Sequence, residues 1–573
     1  MTSPDPHNDE IAQRKDAASG RPLSLLEHWA RTDPERDAVS GTACAGADAC
    51  PEPSRLTWGQ LAETVGRLAA RLQARGLPPG AIVAVQLPHG LESVITLLAL
   101  WQARLLPAPL PAAWRERDIE IALDGVPVAA VIGCLASASG RPNSPLLSLK
   151  RFVSPHRRFA FGAQTGSADV EPLDPFITAA APPAGRVSST EPDPPAGMAS
   201  CANEDSALLH FMTRRQWLSV IPRGGEDLIA AGLHVSMALG LGRDERILCP
   251  YPVSGITGIA GMFMPWLVTG SQLVLHMPSE IEALGLRLER EHITYAALPA
   301  RLIPRLALDE HDLSALRILG EVNVMPPAKG EAQHRRSALL EHTGKGRHML
   351  NIADIVLAVV PDAAEGSPAS LPIGVAAAAE LDGQRAVFLE TRIQGSAHRP
   401  GTAPVLSGYL ALSGLMVPPA GALAAFNPAA QPLTRDGFLV TGLPCSVGNA
   451  AMTRLAFLPD PGLARIGGLT LDLDELDRLY ASFPSCCDAA AFTIADPLLG
   501  ERLCAAVVLK PGAVSSHETF LAHLRRMQIA PYLMPQHVIT VGAIPRDAEG
   551  RVLRAQFPVR DVEAELSSEN ADA

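Results

Sequence analysis

Apolar patterning begins only after about residue 20. The preceding "MTSPDPHNDEIAQRKD" is polar throughout and predicts a disordered lead over residues 1–20. In "LTWGQLAETVGRLAARLQARG", Leu61, Val65, Leu68 and Leu72 recur on one helical face, and Thr57 followed by Gln60 predicts a capping box at the helix start. "AIVAVQL" (81–87) and "PVAAVIG" (127–133) are continuous apolar runs of strand length, and "LESVITLLALWQA" (91–103) between them reads as a buried helix. This alternation predicts βαβ units and a largely parallel sheet.

From about 140 to 203 the pattern gives way to Pro, Ser, Ala and Gly, ending in "EPDPPAGMAS", which predicts a long surface connection. Alternation resumes in "RDERILCPYPV", "GSQLVLH", "ITYAALP" and "ALRILGEV", and residues 373–395 are strand-like, with period-two stretches in "RAVFLETRIQG". "VGNAAMTRLAFLPDPG" (447–462) predicts a linker. A compact unit follows: "LDLDELDRLYASFP" as helix, "DAAAFTIAD" and "RLCAAVVLK" as strands, "HETFLAHLRRMQ" as helix. No internal repeat is evident. The pattern predicts an α/β chain built on βαβ units that ends in this compact unit, with a disordered tail at 561–573.

Composition narrows the function classes. A chain of 573 residues exceeds one small domain, and 47% hydrophobic residues supply a sizeable core. Aromatics are only 4%, so that core must be mostly Ala, Leu, Val and Ile. A net charge of −12 argues against nucleic acid as main partner and fits a cytoplasmic protein. The nine cysteines have no CxxC pair, and Cys486 and Cys487 are adjacent, which reads as buried reduced thiols. The N-terminus has no apolar core of a signal peptide. Apolar stretches are broken by Arg104, Pro107 and Pro109 or are short, as in "GIAGMFMPWLVTG", so no membrane crossing is expected.

Several phrases then occur in a telling order: "RLTWGQLAETVGRLAARLQARGLPPGAIVAVQLPHG", "LGRDERILCPYPVSGITGIAGMFMPWLVTG", "DGFLVTG", "IGGLTLDLDELDRLYASFP", "MQIAPYLMP" and "IPRDAEGRVLR". In order and spacing the chain resembles the adenylate-forming superfamily, which includes acyl- and aryl-CoA synthetases and the adenylation domains of peptide synthetases. The resemblance spans about residues 22–556. It implies the adenylate-forming enzyme fold: a large N-terminal domain of βαβ-built sheets packed with helices over 21–457, and a small mobile C-terminal α+β domain over 458–560. It also implies ATP and Mg²⁺ joining a carboxylic acid into an acyl-adenylate, and then CoA or a carrier protein's phosphopantetheine receiving the acyl group.

The phrases that carry that chemistry depart from the family. Its phosphate loop is rich in Gly, Ser and Thr and ends in lysine, so that backbone N–H groups wrap the phosphates. The corresponding "FMTRRQWLSVIPR" (211–223) has no glycine and carries Trp217 and Leu218. Thr213 is its one nucleotide-binding candidate, while Arg214 and Arg215 form a basic turn. Gly255 stands where the family places histidine or an aromatic residue. "VNVM" (322–325) falls on the adenine-stacking phrase and lacks its glycines. In "NIADI" (351–355), Ile355 replaces the magnesium-binding glutamate and Asp354 stands at the threonine position, a candidate nucleotide or Mg²⁺ ligand one residue early. Thr441 and Gly442 keep the entry to the ribose-binding turn, but Leu443 replaces its aspartate. "LPDPG" (458–462) lacks the hinge pattern.

Arg551 occupies the position of the reactive lysine. Arginine keeps the charge but is planar and wider. One lost charge-stabilising group costs about 3 kcal/mol in a transition state, and four or five such losses approach an enzymatic acceleration of roughly 8 kcal/mol or more. Three readings stay open. The first is a divergent acyl or aryl ligase. The second is a non-catalytic relative that holds a small carboxylic acid or acyl thioester and meets an acyl carrier protein or an active ligase. The third is ATP-independent acyl transfer, for which His210, His234, His276 and His292 are candidate bases.

Overall fold

The computed structural model describes residues 21–42, 54–135, 144–149, 152–154, 157–162, 169–174, 206–211, 220–276, 283–300, 302–303, 310–325, 346–360, 370–381, 383–395, 407–418, 433–447, 453–458, 460, 462–466, 469–496, 500–513, 516–547 and 550–557. The expected disorder at 1–20 and 561–573, and Thr213, lie outside them.

The capping box forms as the sequence predicts. Thr57 Oγ1 accepts from the Gln60 amide at 3.3 Å, and Gln60 Oε1 accepts from the Thr57 amide at 3.0 Å. It starts the helix Trp58–Gln73, whose Leu61, Val65, Leu68 and Leu72 are buried. The strand Ile82–Val85 pairs in parallel with Leu106–Pro109 on one side and Val128–Cys134 on the other, and the helix Leu91–Gln102 makes the crossover. Arg158–Phe161 and Glu171–Pro172 complete this five-stranded parallel sheet. Part of the expected surface connection at 140–203 is therefore interior structure. "RFAF" is short, but every residue of it is buried, and sheet pairing overrides the Pro- and Ser-rich composition around it.

A second sheet has eight strands. Its centre, from Ile318–Met325 through Tyr295–Pro299, Arg246–Cys249 and Gln272–Leu275 to Asp37–Gly41, is parallel. Gly346–Ile352 extends the parallel run, and Val356–Val360 and Ser54–Thr57 close the edges antiparallel. Three of the few aromatics gather beneath it. Trp58 stacks on Trp266 with centroids 5.0 Å apart, and the Trp29 and Trp266 indoles donate to the Leu267 and Ala38 carbonyls at 2.7 and 2.8 Å.

A six-stranded antiparallel sheet follows, built from Ser370–Pro372, Arg454–Phe457, Leu439–Val447, Ser407–Ser413, Gln384–Gln394 and Gly374–Leu381. The expected linker at 447–462 thus contains a strand, because "RLAF" pairs with two neighbours. The last sheet joins Leu469–Asp472, Leu463–Ile466, Gly500–Leu509 and Cys486–Asp496, with His537–Thr540 alongside Gly500–Leu509. Its helices are Leu473–Ala481 and His517–Arg526. The predicted helix over "LDLDELDRLYASFP" is therefore shorter. Its first residues form a strand, and Asp472 caps the helix through the Asp474 and Glu475 amides. The large α/β domain and small C-terminal α+β domain match the expected class. Tyr532 packs against cores of both domains.

No described helix is long and apolar enough to cross a membrane. Among the described cysteines, Cys134, Cys249, Cys445, Cys486 and Cys504 are buried, and Cys487 is exposed.

Candidate functional site

The three-residue turn between Gly346–Ile352 and Val356–Val360 carries Asp354. Ala353 and Asp354 both adopt φ of 55°, a conformation that costs residues with a Cβ and that needs outside support. Asn351 supplies it. Its Oδ1 accepts from the Asp354 amide at 3.0 Å, and its Nδ2 donates to Asp354 Oδ1 at 2.9 Å and to Thr257 Oγ1 at 3.1 Å. Burial raises the Asp354 pKa, while the Asn351 bond and the nearby charge of Arg465 oppose the rise. Arg465 belongs to the strand Leu463–Ile466 of the C-terminal domain and is itself buried. Asp354 therefore lies within electrostatic reach of the C-terminal domain.

Thr257 belongs to the segment after Arg246–Cys249. Helix Ile256–Gly258 runs through a π turn, Ile259–Phe263, into Met264–Thr269. Gly258 is required there, since a Cβ would press into the Pro252 and Tyr251 carbonyls. Gly255 is different. A Cβ there would meet only the Pro252 carbonyl, at 3.8 Å, so local packing does not demand glycine.

Ile355 is 1% exposed and lies in the core. Its carbonyl accepts from the Arg223 guanidinium, which also reaches the Met416 carbonyl at 3.3 Å and Asp227 Oδ1 at 3.4 Å. Arg223, the last residue of the stretch matched to the phosphate loop, is thus buried and engaged in tying the Asp354 turn to the six-stranded sheet. Asp227 also caps the helix Gly225–Leu239 by accepting from the Gly224 amide at 2.7 Å. Burial lifts its pKa to about 6 against the pull of Arg223.

Thr441 and Gly442 lie in the strand Leu439–Val447. Thr441 Oγ1 donates to the Leu410 carbonyl at 2.9 Å and accepts from the Leu443 amide at 3.2 Å. Gly442 has φ of 71°, which explains glycine there. Leu443 is 1% exposed and belongs to the main core. Just upstream, Arg392 pairs with Asp436, donates to Thr434 Oγ1 at 2.8 Å and lies 3.8 Å from the Phe438 ring centroid. That clamp fixes the turn leading into Thr441.

Arg551 sits on the expected turn. Gly550 has φ of 82°, and the Asp547 amide donates to the Arg551 carbonyl at 2.9 Å. The Arg551 side chain is 75% exposed, with its Nε 3.3 Å from Asp547 Oδ2 of the same turn. Of the residues singled out in the sequence, Asp354 is held by Asn351, which also bonds Thr257, and feels the charge of Arg465, whereas Arg551 pairs with Asp547 within its own turn.

Among the histidines, burial lowers the pKa of His210 to about 3, with Arg223 adding to the effect, and that of His234 to about 4. His234 Nε2 accepts from the Val359 amide at 3.0 Å. His276 is buried and His292 is exposed, with φ of 47°. Sequence reasoning did not single out Arg465 or the buried role of Arg223. "IPRGGED" carries one signal, an arginine four residues before an aspartate at a helix start.

Two family models match the chain: the AMP-binding enzyme model over residues 26–191 and the AMP-binding enzyme C-terminal domain model over residues 475–551. The segments 211–223, 351–355 and 441–443 lie between the matched ranges. A salicylyl-CoA synthase / salicylate adenylyltransferase from Streptomyces sp is 27% identical over 95% of this chain and 94% of its own length. The medium-chain fatty-acid–CoA ligase of Escherichia coli is 24% identical over 92% and 89%. In fold, the chain is similar to a mutant of the amide bond synthetase McbA from Marinactinospora thermotolerans, with TM-score 0.68, 20% identity and coverage of 95% and 99%. It is also similar to o-succinylbenzoate CoA synthetase from Bacillus subtilis, with TM-score 0.65, 17% identity and coverage of 93% and 97%.

Proposed function

We propose that this chain, which belongs to the adenylate-forming superfamily, is an acyl-CoA-synthetase-like protein that holds a small carboxylic acid or its acyl thioester with ATP-dependent adenylation impaired or lost. The observation that carries this reading is the burial of Ile355 and Leu443, each 1% exposed. These are the two positions from which acidic ligands for magnesium and ribose would come. Leucine and isoleucine have no oxygen to offer, and their place in the core leaves no room for a polar substitute.

The neighbouring groups support the same reading. The Asp354 carboxylate is bonded to Asn351, Thr441 Oγ1 is engaged within its sheet, and Arg551 sits exposed beside Asp547. The described residues do not fit a magnesium-bound nucleotide. What the fold retains is the large α/β framework with the small domain packed against it through Tyr532. These suit a role in holding or passing acyl groups, with CoA or phosphopantetheine as the thiol and an acyl carrier protein or an active ligase as partner. We place the domain boundary at 457/458, where the strands change sheets.

A second reading, an active divergent ligase, is favoured by similarity along 95% of the chain to a salicylyl-CoA synthase. Calorimetry with Mg·ATP, backed by a thermal-shift titration, separates the two. The proposal expects no binding at millimolar nucleotide, together with saturable binding of a carboxylic acid or acyl thioester. Clear Mg·ATP binding, followed by acid-dependent pyrophosphate exchange, overturns it.

A further inference from the structure

The strand Cys486–Asp496 opens on two adjacent cysteines, and its pairing with Gly500–Leu509 is irregular there. Cys486 lies opposite Leu509 and Asp488 opposite Val508, so Cys487 is the extra residue of a β-bulge. A regular strand sends successive side chains to opposite faces and keeps adjacent thiols apart. The bulge relaxes that constraint. Cys487 Sγ lies 3.7 Å from the carbonyl of Leu509, the residue that faces Cys486 across the ladder. Cys486 Sγ donates to the Asp488 carbonyl at 2.7 Å. Both thiols therefore rest on the backbone of one bulge.

The two sulfurs differ in access. Cys486 is 5% exposed and belongs to the core of the small domain, whereas Cys487 is exposed. Burial raises the Cys486 pKa against its backbone bonds, and the neighbouring Cys487 adds to the rise, so Cys486 keeps its proton. An exposed sulfur meets solutes first, and a second thiol beside it can resolve the oxidised product.

Asp488 extends the reach of the bulge. Its carboxylate accepts from the Arg546 guanidinium at 2.9 and 3.2 Å, and another Arg546 nitrogen donates to the Gly550 carbonyl at 2.9 Å. Arg546 also forms a backbone bridge with Val552. The bulge is thereby tied to the turn that carries Arg551.

We propose that Cys486 and Cys487 form a thiol–disulfide switch, oxidised by a hydroperoxide and coupled through Asp488 to the Arg551 turn. The Cys487 sulfur attacks the hydroperoxide, the O–O bond breaks, an alcohol or water leaves, and Cys487 becomes a sulfenic acid. The Cys486 sulfur then attacks the Cys487 sulfur. The S–O bond breaks, the S–S bond forms, and the hydroxide leaves with the Cys486 proton as water. Adjacent Cα atoms are about 3.8 Å apart, closer than the usual disulfide range, which starts at about 4.4 Å. The bond is therefore strained and returns readily to thiols. Forming it draws Cys486 Sγ off the Asp488 carbonyl, turns the peptide that leads into Asp488, and displaces the carboxylate that holds Arg546. The inference goes beyond the acyl-handling reading and does not depend on it.

Treatment of the full chain with hydrogen peroxide, then alkylation of the remaining thiols and mass mapping, tests the pairing. The tryptic peptide 479–502 holds both cysteines and no other. It is expected to lose two hydrogens, to escape alkylation, and to recover both thiols in dithiothreitol. Limited proteolysis reads the coupling: trypsin cleavage after Arg551 is expected to quicken several-fold in the oxidised chain and to return to its starting rate on reduction. Cys487→Ser, at an exposed position, is expected to abolish both changes. Asp488→Asn is expected to keep the disulfide but to make cleavage after Arg551 fast before oxidation, with no further gain after it. Cys487 carried on to a sulfinic acid, or joined to a second copy of the chain, with Cys486 open to alkylation, overturns the switch. A disulfide within peptide 479–502 that leaves cleavage after Arg551 unchanged overturns it as well.

Discussion

Asn351 and Asp354 hold each other: the Asp354 amide donates to Asn351 Oδ1 at 3.0 Å, and Asn351 Nδ2 returns a bond to Asp354 Oδ1 at 2.9 Å. The pair stabilises a turn in which two non-glycine residues have φ of 55°. Asn351→Ala removes the support of the turn and orphans Thr257 on one side. A loss of about 2 kcal/mol is expected in urea unfolding, from the missing bonds and unrelieved backbone cost. An unchanged midpoint would mean that the turn is held elsewhere.

Leu443 stands where the family resemblance puts a ribose-binding aspartate. Restoring that residue alone is expected to harm the protein. Leu443→Asp sets a carboxylate into a core position 1% exposed, with loss of about 3 kcal/mol or more. Mg·ATP binding is not expected to return, because Ile355 is buried as well. A Leu443→Asp protein of wild-type stability that binds nucleotide would show that the site needs only one residue to recover.

The helix start at Thr57 was legible because capping and helical periodicity are local, within a few residues. The strands Arg158–Phe161 and Arg454–Phe457 were not, because what makes each a strand is its neighbours in the sheet, and the composition around them resembles a loop. The site divided in the same way. Ile355, Leu443 and Arg551 could be picked out as departures from a family pattern. Arg465 beside Asp354, and Arg223 inside the core, depend on how distant segments pack.

Arg551 pairs with Asp547 at 3.3 Å on an exposed turn. Such pairs contribute roughly 0–1 kcal/mol. Arg551→Ala is expected to leave the denaturation midpoint nearly unchanged and to leave acid or thioester binding unaffected. A large loss of ligand affinity, measured by calorimetry, would place Arg551 in the functional site after all.

His210 and His234 give the fold an acid sensitivity. Each is held well below the ordinary imidazole value, His210 at about 3 and His234 at about 4, chiefly by burial. The unfolded chain binds protons at these residues between roughly pH 6.5 and 4 while the folded chain does not, so the stability they retain above that window is lost as pH falls through it. The shift at His234 corresponds to about 3 kcal/mol at full development. His234→Gln keeps an acceptor for the Val359 amide without a titrating ring. Its urea midpoint is expected to fall less steeply than wild type between pH 6.5 and 4. Parallel curves would remove His234 as a source of the slope.

Tyr532 links the two domains. It packs against the core around Trp114 and against the core of the C-terminal sheet, and burial raises its pKa while a bond with the Trp114 side chain opposes the rise. A groove beside it is lined by Trp114, Asp118, Ile121, Leu476 and Leu479, from both domains. Tyr532→Ala removes the aromatic ring from both cores and its bond with Trp114, at an expected cost of about 3 kcal/mol shared between the small domain and its docking. Tyr532→Phe removes the hydroxyl alone, at about 1 kcal/mol. If the residue acts mainly in docking, limited proteolysis of Tyr532→Ala should cleave faster between residues 457 and 463, while the thermal transition of the large domain stays in place. Cleavage at the wild-type rate in Tyr532→Ala, with the small domain melting early, would assign Tyr532 to the fold of that domain instead.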